Sequence, residues 1–451
     1  MKYLIGLDIG TSSVKGVLMT ADGRLAATAR GSFDYVRTDD GRVELDPNRY
    51  LDVCLETVSE LADAADGGNI AGLCASSASG NLIVLDEAGR PMTPIIGWQD
   101  RRVTEESVEV LGEIDRVAFH RRIGWPFGGK AMPLSQLCYM KKHSPELIED
   151  CSMAAMSTEY LYHALTGRWG ISPSAGITYY LIDRNTGTYI GEILERLGLK
   201  ESQLPPVMPC GSVLGGVTGG IAQRCHLPVG TPVVLGSFDH PSAARGTGVL
   251  EEGEMLLSCG TSWVVFAPVR DAEKGFAAGA LVDPFLSPGG CYGVMSSVSS
   301  LSDRIKDYMR YYIDGEGRDF DRLTELAKRS APGAGGLMAH LNDPPESLEA
   351  GGHPIEDVAL AIMEGAVRLL KYKLDSLSAC GITAKKAVMV GGPSENPFWA
   401  QLIERICGIE VQTQPGGTFA GAAGAAVIAG VGLGIYADEF DARRKLRTQK
   451  D

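Results

Sequence analysis

Leu7-Asp8-Ile9-Gly10-Thr11-Ser12-Ser13, near the start of the chain, has a partial copy further on, Leu257-Ser258-Cys259-Gly260-Thr261-Ser262. Apolar runs flank each Gly-Thr-Ser, so each copy reads as the tip of a β-hairpin. Such a tip offers backbone N–H groups and hydroxyls that can converge on phosphate oxygens. One copy alone is more often an ordinary turn. Two copies, each opening a similar domain, point to a polyphosphate held between the domains.

Working outward from the first copy, Tyr3 to Asp8, Val14 to Met19 and Leu25 to Ala29 read as a three-stranded meander. Asp46-Pro47 supplies an N-cap and a first-turn proline for a helix with Leu51, Cys54, Val58 and Leu61 at helical spacing. Ile70 to Cys74 and Leu82 to Leu85 return to strand character. A helix over Thr158 to Leu165 stops at Gly167, and a strand over Pro232 to Gly236 runs into Ser237-Phe238-Asp239-His240. The small-residue stretch Ala243 to Leu250 is the expected hinge and boundary, which divides the chain into domains 1–246 and 247–451. The second half restarts with a hairpin, Met255 to Cys259 and Trp263 to Ala267. It continues with a long helix carrying Ile362, Met363, Ala366, Leu369, Leu370, Leu374 and Leu377 on one face, a strand Ala387 to Val390, and a helix from Pro397 to Cys407. The repetition is therefore of whole domains.

At 451 residues the chain calls for two to three domains. A formal charge of −14 argues against a nucleic-acid partner, which needs a basic surface. The ten cysteines are scattered without Cys-x-x-Cys or Cys/His ligand spacing, so a reduced, cytoplasmic setting without zinc is expected. The N-terminus reaches Asp8 before an apolar leader core could form, and no leader is expected. Val411 to Ala437 carries no charge, yet its Ala and Gly content favours a close-packed internal helix over a membrane span.

Asp8, at a strand end beside the turn, is placed to anchor hydrated Mg²⁺, and Lys15 adds a positive charge. Asp239 is the candidate general base for phosphoryl transfer, with capping of the following turn as its plain alternative. His240 either orients a substrate hydroxyl or is a satisfied buried side chain. Gly391-Gly392-Pro393-Ser394-Glu395-Asn396 either lets a flat ring approach the backbone or simply joins strand to helix. Gly124 to Ala131 is close to a P-loop but has Ala131 where a Ser/Thr should bind Mg²⁺, and no Gly-x-Gly-x-x-Gly fingerprint occurs.

With these segments in order, together with Ile96-Gly97-Trp98-Gln99-Asp100-Arg101-Arg102, Leu165-Thr166-Gly167 and Met363-Glu364-Gly365, the chain resembles the FGGY carbohydrate kinases of the actin-like ATPase superfamily over nearly its whole length. The resemblance implies an α/β fold of two ribonuclease-H-like domains, each a mixed sheet flanked by helices, with ATP in the cleft between them. It implies Asp239 as catalytic base and Asp8 as the magnesium-side carboxylate, acting through water. Gly10, Thr11, Ser12, Lys15, Gly260, Thr261 and Ser262 fall on the phosphate side, and Gly391, Gly392 and Asn396 on the adenosine side. Ser77, Ala78, Trp98, Asp100, Arg101, Asp239 and His240 fall on the sugar side. The implied partners are ATP, Mg²⁺ and a small ketose or polyol, with no nucleic acid or membrane, and a homodimer is among the expectations.

Two departures narrow the implication. Ser77-Ala78-Ser79-Gly80-Asn81 stands where many relatives carry a Gln and bulky or charged sugar-reading residues, which implies a larger or differently configured acceptor, or another residue that supplies those donors. The Gly336 to Asp357 region lacks the family's Gly-Glu-Arg-x-Pro segment, and Pro393 replaces the third glycine of the adenosine loop. A sugar or nucleotide sensor that binds without transferring phosphate is the alternative reading of the same scaffold.

Overall fold

The computed structural model describes every residue except 104, 128–131, 415 and 448–451, so half of the P-loop-like stretch Gly124 to Ala131 lies outside the described residues. The chain forms two compact units: one of Met1–Leu250, Val282–Pro288 and Phe419–Asp451, the other of Glu251–Leu281 and Gly289–Thr418.

The first unit is built on a six-stranded sheet in the spatial order 213–216, 232–238, 69–77, 2–9, 13–20, 25–32. Strands Lys2–Ile9, Ser13–Thr20 and Leu25–Ser32 form the antiparallel meander that the sequence predicts. Asn69–Ser77 and then Pro232–Phe238 add in parallel. The helix Pro47–Asp63 connects the meander to the first parallel strand, and Asp46 accepts hydrogen bonds from the N–H groups of Asn48 and Arg49 at 2.7 and 3.3 Å. Its buried Val53, Cys54, Val58 and Leu61 pack on the sheet core. The expected strand at Leu82–Leu85 forms over Ile83–Leu85, but it pairs with Met153–Ala155 in a separate two-stranded sheet.

The second unit repeats the plan. Its own strands run in the order 292–298, 263–269, 254–259, 386–390, 410–413. Glu254–Cys259 pairs antiparallel with Trp263–Val269, which pairs antiparallel with Tyr292–Val298, while Lys386–Val390 and Glu410–Thr413 extend it in parallel. Three antiparallel strands followed by two parallel ones is the ribonuclease-H-like arrangement, present here twice. The long helix is Ile355–Ala379, burying Ile362, Met363, Ala366, Leu370 and Leu377 as the spacing predicts.

The first break between the two units falls at Leu250/Glu251, the end of the small-residue stretch Ala243 to Leu250. Residues 243 to 247 of that stretch belong to the helix Asp239–Thr247, where their small side chains serve close helix packing. The partner is the Ala/Gly helix Ala420–Gly432, buried from Ala420 to Gly430. A Cβ on Gly246 would land on the Ala420 carbonyl oxygen, and one on Gly424 on the Ser242 carbonyl oxygen. Backbone therefore touches backbone, which no larger residue permits. Among the described residues no helix is long and apolar enough to cross a membrane.

Overpacking a tight core costs about 1–3 kcal/mol or more. Gly424→Ala is thus expected to lower the unfolding free energy from a urea melt by that amount with unchanged slope, whereas Gly434→Ala, in open space, should cost less and act only through its backbone conformation.

Candidate active site

In the first unit, the parallel strands end side by side. Asp8 pairs in register with Ser76, and Ile9 and Phe238 both pair with Ser77. Carboxyl ends of parallel strands are where α/β sheets place ligands. Asp8 and Asp239 are brought together there, one at the end of its strand and the other opening the helix Asp239–Thr247.

Asp8 faces Lys15 directly across the hairpin, on the same face of the sheet. Its other side is closed by Gly421, where a Cβ would lie 2.5 Å from Asp8 Oδ2, so only glycine leaves room for the carboxylate. Behind it, Ser76 Oγ donates to Ser242 Oγ at 2.8 Å, and Ser242 Oγ donates to the Gly421 carbonyl at 2.8 Å. These two bonds tie the strand, the helix of Asp239 and the Ala/Gly helix at one point.

Burial pushes the Asp8 carboxyl up to about 7, the nearby Asp239 adds to the rise, and Lys15 opposes it. Asp239 is also held above the ordinary carboxylate range by burial, against the pull of His240, the N–H groups of the first helical turn and Lys15. The Asp239 side chain keeps 23% exposure, so the pair is crowded by protein yet open to an incoming group. Its Oδ1 accepts from the His240 N–H at 2.7 Å.

Two like-charged oxygen donors with raised proton affinity suit a hard cation completed by phosphate oxygens and water, which is how Mg²⁺ is usually held. Among the described residues no cluster of three or more His, Cys, Asp or Glu side chains gathers to hold a metal with protein ligands alone. Of the two carboxylates, Asp8, at its strand end across from Lys15, is the residue that fits the magnesium side.

The first turn is set by Gly10 N–H donating to the Ser13 carbonyl at 2.8 Å, and its Thr11 Oγ1 accepts from Trp98 Nε1 at 3.3 Å. Ser12 is exposed. Trp98 thereby joins the expected phosphate and sugar residues. Its Cβ also lies 3.4 Å from where a Cβ on Gly80 would stand.

The rest of the sugar-side group divides. The Ser77 hydroxyl is buried and engaged, accepting from Thr158 Oγ1 at 2.5 Å and meeting Ser79 Oγ at 3.0 Å. Ala78 is half-buried, its N–H on the Ile9 carbonyl at 2.9 Å. Asp100 is buried, and its carboxylate holds the Val43 N–H at 3.0 Å and Arg102 at 2.7 Å, with Arg102 also reaching Glu44 at 2.7 Å. Asp100 therefore supports the loop that carries Trp98. Arg101 is exposed and its N–H is tied to the Gly41 carbonyl. His240 sits edge-on to Phe238, which packs on Trp125, and Trp125 stacks on Tyr180. Sequence reasoning overlooked Trp125, because nothing local marks it as sharing a wall with Phe238.

In the second unit, Gly260 N–H donates to the Ser262 carbonyl at 3.1 Å. Ser302 Oγ donates to the Gly260 carbonyl at 2.6 Å, and Ser262 Oγ accepts from the Ser300 N–H at 3.0 Å. Gly391 has φ 94° and a Cβ there would strike the Cys259 carbonyl, so the Gly391–Asn396 loop lies against the second turn. Gly392 is exposed at its start, and Asn396 caps the helix Pro397–Cys407 through the Phe398 N–H at 3.1 Å. Glu364, buried in the long helix, binds Arg405 at 2.5 Å, Arg368 at 3.3 Å and the Gly333 N–H at 3.0 Å. The Met363-Glu364-Gly365 motif is thus a brace for the helices behind the loop.

Residues 3–246 match the N-terminal domain of the FGGY family of carbohydrate kinases, and residues 324–433 match its C-terminal domain. The chain belongs to that family. Among curated relatives it is 26% identical to an autoinducer-2 kinase of Klebsiella pneumoniae, over 97% of this chain and 87% of the relative. A second, from Escherichia coli, is 26% identical over 98% of this chain and 88% of the relative. Among solved structures, a ligand-bound xylulose kinase from Lactobacillus acidophilus superposes with a TM-score of 0.85 at 20% identity, covering 99% of this chain and 92% of that one. A glycerol kinase from Plasmodium falciparum with ADP gives 0.85 at 16% identity and the same coverage. These likenesses carry the two-domain actin-like fold, and family membership makes this FGGY protein a carbohydrate kinase.

Asp8 titrates near 7 in the folded protein and near 3.8 in the ordinary carboxylate, so the folded state holds an extra proton between those values. Its contribution to stability is lost as pH rises through that window. Asp8→Asn removes the penalty. Its melting temperature is expected to exceed that of the unsubstituted protein by more at pH 8 than at pH 5, measured without nucleotide or Mg²⁺.

Proposed function

We propose that the protein transfers the γ-phosphoryl group of ATP to a hydroxyl of a small ketose or polyol, with Asp239 as general base. The observation that carries this reading is the Asp8–Asp239 pair at the carboxyl ends of the parallel strands, with Lys15 alongside.

In this reading the acceptor hydroxyl gives its proton to Asp239 as its oxygen forms a bond to the γ-phosphorus. The bond from that phosphorus to the β,γ-bridging oxygen breaks, and ADP leaves. Asp239 suits the role because burial raises its proton affinity while partial exposure leaves it reachable. Bound Mg²⁺ would neutralise phosphate charge, with Asp8 the carboxylate on its side. Thr11, Ser12 and Lys15 are proposed to meet phosphate oxygens in the first unit, and Gly260, Thr261 and Ser262 in the second. Gly391, Gly392 and Asn396 are proposed for the adenosine.

Trp98, His240 and the wall of Phe238 and Trp125 are proposed to face the acceptor. With the Ser77 hydroxyl engaged and no charged side chain in Ser77–Asn81, hydroxyl recognition is proposed to fall to Asp239 and His240, and the segment that reads the sugar in many relatives fixes no acceptor here. Autoinducer-2, the acceptor in the names of the curated relatives, therefore belongs in a screen beside xylulose, glycerol and gluconate.

Removing a general base typically costs about 10²–10⁴-fold. Asp239→Ala is expected to stay folded and lose acceptor-dependent ADP formation by that factor; near-normal turnover sinks the assignment. For the unsubstituted enzyme, a base must be unprotonated to act, so kcat/KM should rise with pH to a plateau, with its midpoint above the ordinary carboxylate range. A rate that falls across the same range contradicts a carboxylate base.

A further inference from the structure

Behind Asp239 lies a buried acid that the chemistry above does not use. Asp283 has 0% exposure, and its Oδ2 accepts from Ser174 Oγ at 2.7 Å. The same Ser174 oxygen accepts from the Phe238 N–H at 3.2 Å. Phe238 is the N-cap of the helix whose first residue is Asp239, so whatever holds its N–H sets where that helix begins. It also stands at the shift in register between Pro232–Phe238 and Asn69–Ser77, where the strand pairing is irregular.

The other oxygen, Asp283 Oδ1, is enclosed without a hydrogen-bond partner among the described residues. A full negative charge there would be poorly compensated. Burial accordingly pushes the group up to about 7, with Ser174 and Arg245 pulling the other way. A buried carboxyl with one bare oxygen is less favourable than an apolar residue of similar size. Packing alone does not call for it; an acceptor aimed at Ser174 does. The segment also meets the far end of the same helix, where Arg245, 3% exposed, donates through Nη2 to the Phe285 carbonyl at 2.5 Å and pairs through Nε with Glu439 at 3.2 Å.

We propose that Asp283 is a positioning residue for phosphoryl transfer, accepting the Ser174 hydroxyl proton so that Ser174 in turn holds the Phe238 N–H and the first helical turn that presents Asp239. It rests on Asp239 being the base. The role needs an acceptor and no charge, so an amide serves in its place.

The test uses the full chain with Ser174→Ala, Asp283→Ala and Asp283→Asn. Each is assayed for acceptor-dependent ADP formation and for hydrogen exchange at the Phe238 amide. A small misplacement of a catalytic group costs up to about 100-fold, so both Ala variants should lose roughly 10- to 100-fold in kcat with acceptor KM within about threefold, and Asp283→Asn should recover kcat to within about threefold. The Phe238 amide should exchange at least about tenfold faster in the two Ala variants and not in Asp283→Asn. Ala variants with unchanged kcat overturn the proposal, as does an Asn variant as damaged as Asp283→Ala. Should Asp283→Ala fail to fold, Ser174→Ala, which loses one hydroxyl, decides. If the unsubstituted protein is silent with every acceptor, the kinase reading fails first, and unchanged Phe238 exchange in Ser174→Ala separately overturns the anchoring.

Discussion

Two carboxylates confined at the ends of the parallel strands on either side of Asn69–Ser77 set the terms for the first unit. Asp8 and Asp239 repel one another and are poorly solvated, so neither position is one that a folding chain adopts for stability. Their placement has to be enforced by the surrounding structure. Lys15 opposes the charge across the hairpin, Gly421 leaves the space, and the Ser76–Ser242–Gly421 bonds lock three elements together just behind. Strain or charge held in this way is common at sites where chemistry uses it.

The helix crossing follows from that demand. To bring Asp239 beside Asp8, the helix Asp239–Thr247 must lie close to the sheet, and the helix Ala420–Gly432 must pass close to both. Gly246 and Gly424 allow backbone contact at the crossing, which is why the run that looks weakly apolar in composition is almost wholly buried. The cost of an ordinary side chain here is felt at the site, because Gly421 is a neighbour of Gly424 on the same helix and touches Asp8.

The second unit uses the same topology without a matching acid pair at the turn. Ser258 stands where the first copy has Asp8, and Ser300 and Ser302 brace the turn from the next helix. A duplicated scaffold thus carries an acidic pair in one unit and a turn of glycines and hydroxyls in the other. Glu364, with two arginines and the Gly333 N–H, fixes the helices that carry the latter.

Much of this was legible in the chain itself. The two Gly-Thr-Ser tips, the Asp46-capped helix and the strand that delivers Asp239 depend on local turn chemistry and periodicity, which act over a few residues and so can be read from a few residues. The same locality hid the rest. Ala243 to Leu250 reads in isolation only as a small-residue stretch, and only the arrival of Ala420–Gly432 turns its helical part into a packing surface. Asp100 looked like a sugar contact until Val43 and Arg102 were found on its carboxylate. Ser174 and Asp283 carry no motif, and their relation to Phe238 exists only where three remote segments meet. Sequence alone determined the fold class and which residues could do phosphoryl chemistry, since those rest on short-range patterns. Tertiary structure decided which of them face one another and what holds them there, since proton affinity and position depend on burial and on neighbours brought from far along the chain.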